Sequence, residues 1–427
     1  MRFTKLITYM VVIVIAGCST EKQSVPGTEA PQSEFETSSH AHEYQLISND
    51  PYPVVMNLGG PGHPGRLQLE LDLSIGRDTG PDEYILYSPV QIEVDPQGRI
   101  YVVDGRRRAT LVYDSQGKFL AQLGREGNGP GEFNRGRMNI QVYSNGVVDA
   151  NDARKHYARW NPDLTLADDY RIHEFDSPST NALLTTLDEQ YAYFVKSPWY
   201  QPDPDTTTAW WIVQFDLVSQ GTSGAIPFNR GRETHHRGIH EGDNVSTIMP
   251  FSTELMIGQH PDGRYVVAEC DSSCYQVFDT VFKPIREVRW IVERQALDHD
   301  TFLSAYDILY PKSRDNWSEM DKQFERWRKT IPWPELKPVL ATIVAAADGR
   351  VWVESWGDQE WTSLIPYPDP DGVHEYWVFS REGELEFQTT LPFRVHAADD
   401  QHLYELVNDR ESTPQVRRYQ WSPPLGD

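Results

Sequence analysis

The sequence HHRGIHEGD brings together side chains that bind metals, namely His235, His236, His240 and Glu241. Imidazole and carboxylate groups are common zinc ligands, and zinc sites usually take their geometry from a fixed helix or strand. Here glycines flank the histidines, and the order HExxH, which sets a base beside two ligands, is absent. We therefore favour a surface loop over a metal site on His236, His240 and Glu241. No cofactor is predicted, and a divalent cation is the one candidate that we keep as an alternative.

A second set of residues has charged side chains at the ends of successive β segments, and it comprises Asp104, Asp152, Lys196 and Glu269, with Glu354 one residue earlier in its segment. In a radial arrangement these residues would share one rim, where carboxylates can hold a cation or raise one another's pKa for acid–base chemistry. We favour a structural role, because a carboxylate that follows a strand often accepts backbone N–H hydrogen bonds from the turn.

Aromatic residues form a third set, in or beside two long loops, and the ligand-binding candidates are Trp199, Tyr200, Trp356 and Trp361. Indole rings cover the apolar CH faces of sugars, and the neighbouring aspartates can take hydroxyl or ammonium groups. A glycan or peptide surface is one interpretation, and core packing is the other. Arg106 and Arg125 belong to a small positive group that could select an anion, although salt bridges to nearby acids are the favoured interpretation.

Cys270 and Cys274 are separated by Asp-Ser-Ser where the chain is expected to turn from one strand to the next. In an oxidising compartment two thiols that flank a tight hairpin can pair if their Cα atoms lie within about 7 Å. We predict that they form a disulfide.

The composition excludes some partners. The chain has 427 residues, with 63 Asp and Glu against 39 Lys and Arg, so its formal charge is −24. A nucleic-acid-binding protein needs a basic surface that displaces counterions, and none is supplied at the scale of the whole chain. We expect no nucleic-acid partner and an ordered core.

The first residues predict an export signal. Arg2 and Lys5 precede an apolar run of ten residues from Leu6 to Ile15, which would reach about 15 Å as a helix and is too short for a hydrocarbon core of about 30 Å. The following IAGC resembles the lipobox of bacterial lipoproteins, which implies cleavage before Cys18 and lipidation of Cys18. By the sorting rule for such lipoproteins, Ser19 implies the outer membrane of a Gram-negative host. An uncleaved anchor or an ordinary signal peptide is the alternative.

Repeats organise the remaining chain. Residues 18–65 are polar and turn-rich, which predicts a flexible tether after a signal peptide at 1–17. From Val90 to Gly124 four short alternating runs predict an antiparallel meander, and five further copies follow. Because one meander cannot bury both faces, we predict an all-β, six-bladed propeller of four-stranded blades over 66–427. The sixth copy lacks a fourth strand, which Leu67 to Ile75 can supply.

The sequences DPQGRIYVVD, LVYDSQGKFL and GREGNGPGEF resemble NHL-type repeats and the related bacterial six-bladed β-propeller lipoproteins. The resemblance is close over residues 85–172 and looser up to residue 421. It implies the architecture and little of the chemistry, because propellers of this kind include binding proteins, lyases and lactonases.

Long insertions fall on one predicted face of the ring, which marks that face as the functional one. The longest, at about 293–338 between blades four and five, is predicted to be helical because apolar residues recur at i, i+4 and i+7 from Phe302 and from Met320. We predict a monomeric, lipid-anchored binding module for a glycan, peptide, small-molecule or protein ligand on this face, touching the membrane only through Cys18. The alternative is a lyase or lactonase-like hydrolase at the central mouth.

Overall fold

Five four-stranded antiparallel sheets and one six-stranded sheet make up most of the structure, and four strands of the six-stranded sheet form the same kind of antiparallel meander. The computed structural model describes residues 44–48, 51–59, 67–134, 138–152, 156–171, 180–185, 191–196, 210–216, 221–228, 235–240, 243–248, 251, 255–309, 333–357, 372–408 and 412–422. The predicted signal peptide, Cys18 and most of the tether lie outside these residues.

In blades one to five the strands follow the chain order across the sheet. Blade one contains β4 (Pro89–Val94), β5 (Ile100–Asp104), β6 (Ala109–Tyr113) and β7 (Phe119–Leu123), and blade two contains β8 (Met138–Val142), β9 (Val148–Asp152), β10 (His156–Trp160) and β11 (Leu166–Arg171). Blade three contains β12 (Thr180–Thr185), β13 (Tyr191–Lys196), β14 (Trp210–Asp216) and β15 (Gly221–Phe228).

The second half of the ring repeats this plan. Blade four contains β18 (Leu255–Gln259), β19 (Tyr265–Glu269), β20 (Cys274–Phe278) and β21 (Pro284–Trp290), and blade five contains β22 (Leu340–Ala345), β23 (Val351–Ser355), β24 (His374–Phe379) and β25 (Leu385–Leu391). Blade six contains β26 (Ala397–Ala398), β27 (His402–Val407), β28 (Gln415–Ser422) and, from the other end of the chain, β3 (Gln68–Ile75). The predicted propeller of four-stranded antiparallel blades is confirmed.

The hydrophobic core lies between neighbouring blades. All five residues of β5 and all five of β6 are buried, because these middle strands have a blade on each side. Between blades five and six, for example, the indole of Trp352 packs against that of Trp421 with 5.7 Å between ring centroids.

The ring closes as the sequence predicts. β3 pairs antiparallel with β28, with Leu73 opposite Arg418, so the fourth strand of the last blade comes from ahead of the first blade. The guanidinium of Arg418 donates to both carboxylate oxygens of Asp72 over 3.0 and 2.8 Å, which joins the two strands a second time.

Two strands lie in the segment that the sequence analysis assigned to a flexible tether. β1 (Tyr44–Ser48) and β2 (Val54–Asn57) form a hairpin, here called the N-terminal hairpin, and β2 pairs in parallel with β21 of blade four. The prediction of a tether is therefore wrong for these two strands. Their runs are short, and the partner strand that orders β2 lies more than two hundred residues away, where no local pattern points to it.

The predicted helical insertion contains α1 (His299–Leu309), in which Phe302 and Tyr306 are buried. These rings join Trp356 and Phe251 in one apolar cluster, so α1 covers the end of blade five. The second predicted helix, around Met320, lies outside the described residues. No described helix is both long and apolar enough to cross a membrane.

One further hairpin pairs β16 (His235–His240) with β17 (Asp243–Ile248). It lies within the long link between blades three and four, and it contains the histidines that the sequence analysis placed in a surface loop.

Candidate functional site

The innermost strands enclose a central channel with a cavity of about 310 Å³. Its described wall comes from β4, β8, β18, β22 and β26, with one residue of β9 and the turns nearby. Ligand pockets in proteins start at about 300 Å³, so the channel can hold one small molecule.

Gln91 on β4 fixes one side of this wall. Its Nε2 donates to the carbonyl oxygen of Ile140 over 2.8 Å, and its Oε1 accepts from the N–H of Ile140 over 3.0 Å. The amide thus continues backbone pairing from blade one to blade two. The second hydrogen on Nε2 points to Oε1 of Glu93 over 2.8 Å. Gln91 is therefore held in place by blade two and positions Glu93.

Glu93 is a half-buried carboxyl group that lines the channel. Burial raises the pKa of Glu93 to about 7, and the hydrogen bond from Gln91 opposes that rise. The group therefore titrates near neutral pH. Four further polar residues of the channel wall carry amides, namely Asn139, Gln141, Asn151 and Gln259.

His396 lies in the same wall, just before β26. Its Nδ1 is 3.0 Å from the carbonyl oxygen of Arg394 and 3.2 Å from the backbone N of Leu406. Burial, together with the positive charge of Arg394, lowers the pKa of His396 to about 4. The imidazole is therefore neutral at physiological pH.

Behind His396 lies a buried ionic cluster that includes the predicted candidate Glu354. One carboxylate oxygen of Glu354 is 2.7 Å from Nδ1 of His374, and the other accepts from Nε of Arg394 over 3.0 Å. Glu354 and His374 have fully buried side chains. The cluster ties blade five to the segment that enters blade six.

Two of the other predicted rim carboxylates, Asp104 and Asp152, accept backbone hydrogen bonds. Asp104 is fully buried and accepts backbone N–H hydrogen bonds from four residues, Tyr87, Ser88, Arg106 and Arg107. Asp152 is buried and accepts from the N–H of His156 over 3.0 Å. Glu269 is half-buried at the end of β19, and the side chain of Lys196 lies outside the description.

Trp356 is part of the core. It is only 3% exposed, and its ring packs against Phe251 with 5.8 Å between centroids. The expectation of an exposed indole is wrong for Trp356, because α1 and its neighbours cover it. The other aromatic candidates, Trp199, Tyr200 and Trp361, lie outside the described residues.

The arginine candidates contact acids and an aromatic ring. Arg125 donates to Glu132 over 2.7 Å, and the guanidinium of Arg106 lies 5.6 Å from the ring centre of Tyr87. These contacts occupy the cations within blade one and the loop that follows it.

The histidine segment is a strand, so the expectation of a loop is wrong for β16. Residues four apart on a strand are separated by roughly 13 Å, which keeps His236 and His240 from one tetrahedral zinc. Glu241 lies outside the description. Within the described ranges, no three His, Cys, Asp or Glu residues come together as a metal site.

The predicted disulfide is not formed. Cys270 is buried in the core between blades four and five with Ala268 and Tyr275, which face each other across β19 and β20. Successive residues of a strand point to opposite faces, so Cys274, next to Tyr275, points away from that core. Its Sγ lies 3.7 Å from Oγ of Ser272. The short spacing of the two cysteines along the chain does not show that they lie on opposite faces of the sheet.

The central channel is the site that the sequence analysis missed. Gln91 and Glu93 alternate with Ile92 in β4, as polar and apolar residues do in any half-exposed strand. Only closure of the ring brings this strand, with Val90, Ile92 and Val94 as well as the two polar residues, to the wall of a channel, and no local motif marks it.

Comparisons with known proteins support the fold. Residues 79–142, which cover blade one and the start of blade two, match the family model DUF5128, described as a 6-bladed beta-propeller. No curated protein sequence matches the chain. The expectation from the NHL-like resemblance is thus confirmed for the propeller.

Solved structures resemble the chain at low sequence identity. A member of the DUF4221 family from Bacteroides vulgatus has 11% identity and a TM-score of 0.50, with 84% of this chain and 99% of that chain covered. A candidate exported protein of Bacteroides fragilis has 10% identity and a TM-score of 0.46, with 87% and 100% covered. Streptogramin B lyase has 10% identity and a TM-score of 0.39, with 83% and 98% covered. The first of these supports the fold alone.

Proposed function

We propose that this protein is a lipid-anchored, extracytoplasmic binding module whose central channel holds a small polar ligand. The observation that carries the proposal is the channel itself, a cavity of about 310 Å³ with a carboxyl group that Gln91 positions and with several amide groups. Enclosed cavities with a few placed polar groups are the usual form of small-molecule sites. The long loops predicted on one face would border the mouth of this channel.

A substitution that fills the channel with a larger side chain tests this proposal. Ala347 lines the cavity, so Ala347→Phe places a ring in it, whereas Ala167→Phe adds the same ring to an exposed position on β11. Binding of small sugars and amino sugars to the full chain in detergent micelles is measured by calorimetry. Ala347→Phe should weaken binding at least tenfold, and Ala167→Phe should leave it unchanged. Equal binding by both variants would place the ligand elsewhere.

The anchor is tested separately. Lipidation of Cys18 and sorting to the outer membrane rest on the resemblance of IAGC to a lipobox and on Ser19. Mass spectrometry of the N-terminal peptide of the mature protein should find Cys18 as the first residue with a lipid attached. An N-terminal peptide with an unmodified Cys18 would contradict lipid anchoring.

A nucleic-acid partner is not proposed.

An enzyme of the lyase or lactonase-like type is the second candidate. It is supported by Glu93, because a carboxyl group with a pKa of about 7 can give a proton to a substrate or take one from it near neutral pH, while the neutral imidazole of His396 in the same channel can hold the substrate by a hydrogen bond. Turnover of a lactone panel that is lost in both Glu93→Gln and His396→Asn would favour catalysis. Binding without turnover would favour the binding module.

A further inference from the structure

We propose that the ligand of the central channel is a small cation, an amino sugar or a similar hydroxylated amine, and that Glu93 selects it by pairing with its ammonium group. This inference rests on the proposed function of the channel, and it adds the chemical class of the ligand.

The charge of the cavity wall favours a cationic ligand. Glu93 is the only Asp, Glu, Lys or Arg among the described residues that line the cavity. The innermost strand of blade three, β12, has the sequence TNALLT and can add no charge. A buried carboxylate without a counter-charge is costly, and an ammonium group on the ligand supplies that counter-charge.

The hydrogen bonds of Glu93 leave one of its carboxyl oxygens for the ligand. Among the described residues, only Gln91 makes a hydrogen bond to Glu93, and it contacts Oε1. Oε2 is therefore left for the ligand. Because Gln91 is itself bonded to the backbone of Ile140 on β8, the carboxyl group has a fixed position before any ligand arrives, which reduces the entropy lost on binding.

The amide side chains of the cavity wall suit the hydroxyl groups of a ligand. These side chains, on Asn139, Gln141, Asn151 and Gln259, are neutral groups that both donate and accept hydrogen bonds. Such groups suit hydroxyls, which also donate and accept. One carboxylate and several amides match a compound with one ammonium group and several hydroxyls.

The protonation state of Glu93 can be measured, because a ligand that pairs with the carboxylate changes the number of protons bound there. The groups that face it from neighbouring strands are Tyr101, opposite it on β5, and His396 next to β26. Both are neutral at physiological pH, since burial raises the pKa of Tyr101 and lowers that of His396. On β27, Glu405 pairs with Arg417. β8 contains no ionisable side chain.

Glu93 therefore titrates as a single group, and a cationic ligand should expel its proton. With a pKa of about 7, Glu93 is about 0.9 protonated at pH 6, so a fully charged ammonium ligand would release about 0.9 proton on binding at that pH. A neutral ligand that accepts a hydrogen bond from the protonated carboxyl would release none.

The experiment compares glucosamine, glucose and N-acetylglucosamine, which share a ring and differ in charge. Calorimetry on the full chain in detergent micelles uses two buffers of different ionisation enthalpy at pH 6, where the amine of glucosamine is charged. We expect glucosamine to bind at least tenfold more tightly than either neutral sugar, and to release a proton at pH 6. Glu93→Gln should abolish the preference and the proton release. Glu70→Gln, on the exposed side of β3, should change neither.

The outcomes separate the two proposals. If glucose and glucosamine bind equally and Glu93→Gln has no effect, the charge inference is wrong and the binding channel stands, provided that Ala347→Phe still blocks binding. If none of the three sugars binds, both the channel site and its cationic ligand are wrong. If glucosamine binds more tightly without proton release, the ammonium group lies away from Glu93, which also overturns the inference.

Discussion

The side chain of Asn57 makes hydrogen bonds from the N-terminal hairpin to two blades, and its removal should destabilise the packing of that hairpin on the ring. The side chain is only 4% exposed, although it follows a segment with no strong sequence pattern. Its Nδ2 donates to the carbonyl oxygens of Gly383 over 3.0 Å and Arg289 over 3.2 Å, and its Oδ1 accepts from the N–H of Leu385 over 2.9 Å. One amide thus joins β2 to blade four and to blade five.

The size of the effect follows from these three bonds. A hydrogen bond in a folded protein contributes about 1 kcal/mol net, so Asn57→Ala should lower the free energy of unfolding by about 3 kcal/mol. The carbonyl oxygens and the N–H that lose their partner add to the loss where water does not reach them. Leu58→Ala is the control, because Leu58 is the next residue, is 41% exposed and should cost less than about 0.5 kcal/mol.

Urea unfolding followed by tryptophan fluorescence measures both variants, and hydrogen exchange locates the change. In Asn57→Ala the amides of β2 should lose protection before those of blade two. If Asn57→Ala and Leu58→Ala fall within about 0.5 kcal/mol of each other, the hairpin does not contribute to the stability of the ring.

Three further predictions concern charge and thiols. The pKa of Glu93 is higher in the folded chain, about 7, than the ordinary value of 4.5, so this carboxyl group costs stability as pH rises through that interval; Glu93→Gln should gain about 3 kcal/mol in urea unfolding at pH 8 and nothing at pH 4. Glu354→Gln leaves the charge of Arg394 without its buried partner and should cost about 3 kcal/mol, and a thermal shift of under 2 °C would refute that role. Mass mapping without reductant should find Cys270 and Cys274 as two thiols, and a peptide that carries them as a disulfide would contradict the structure.

The fold could be predicted because its signals are local and repeated. Each blade alternates apolar and polar residues between turns, and the missing fourth strand of the last blade pointed to Leu67–Ile75. The strand β2 was not predicted, because it forms by pairing in parallel with β21, which is remote in the chain. Local patterns cannot report a contact of that kind.

The candidate site was less predictable for a geometric reason. The sequence shows that a polar residue alternates with apolar ones, but only the closed ring decides whether that residue faces water or a channel, as for Glu93. Trp356 shows the converse, since a loop-like position proved to lie beneath a helix. Asp104 was better predicted, because a carboxylate that holds a turn acts within a few residues.

The pairing of β3 with β28 also sets an order of events during synthesis. Asp72 and Arg418, which bridge the two strands, are 346 residues apart. At about 5–20 residues per second, a ribosome needs roughly 20 to 70 seconds to make the chain between them. Throughout that interval β3 is finished but has no partner strand, and Leu73 and Ile75, which later pack in the core, remain available to other chains. Self-association of nascent chains is therefore a hazard until the last strand of blade six emerges.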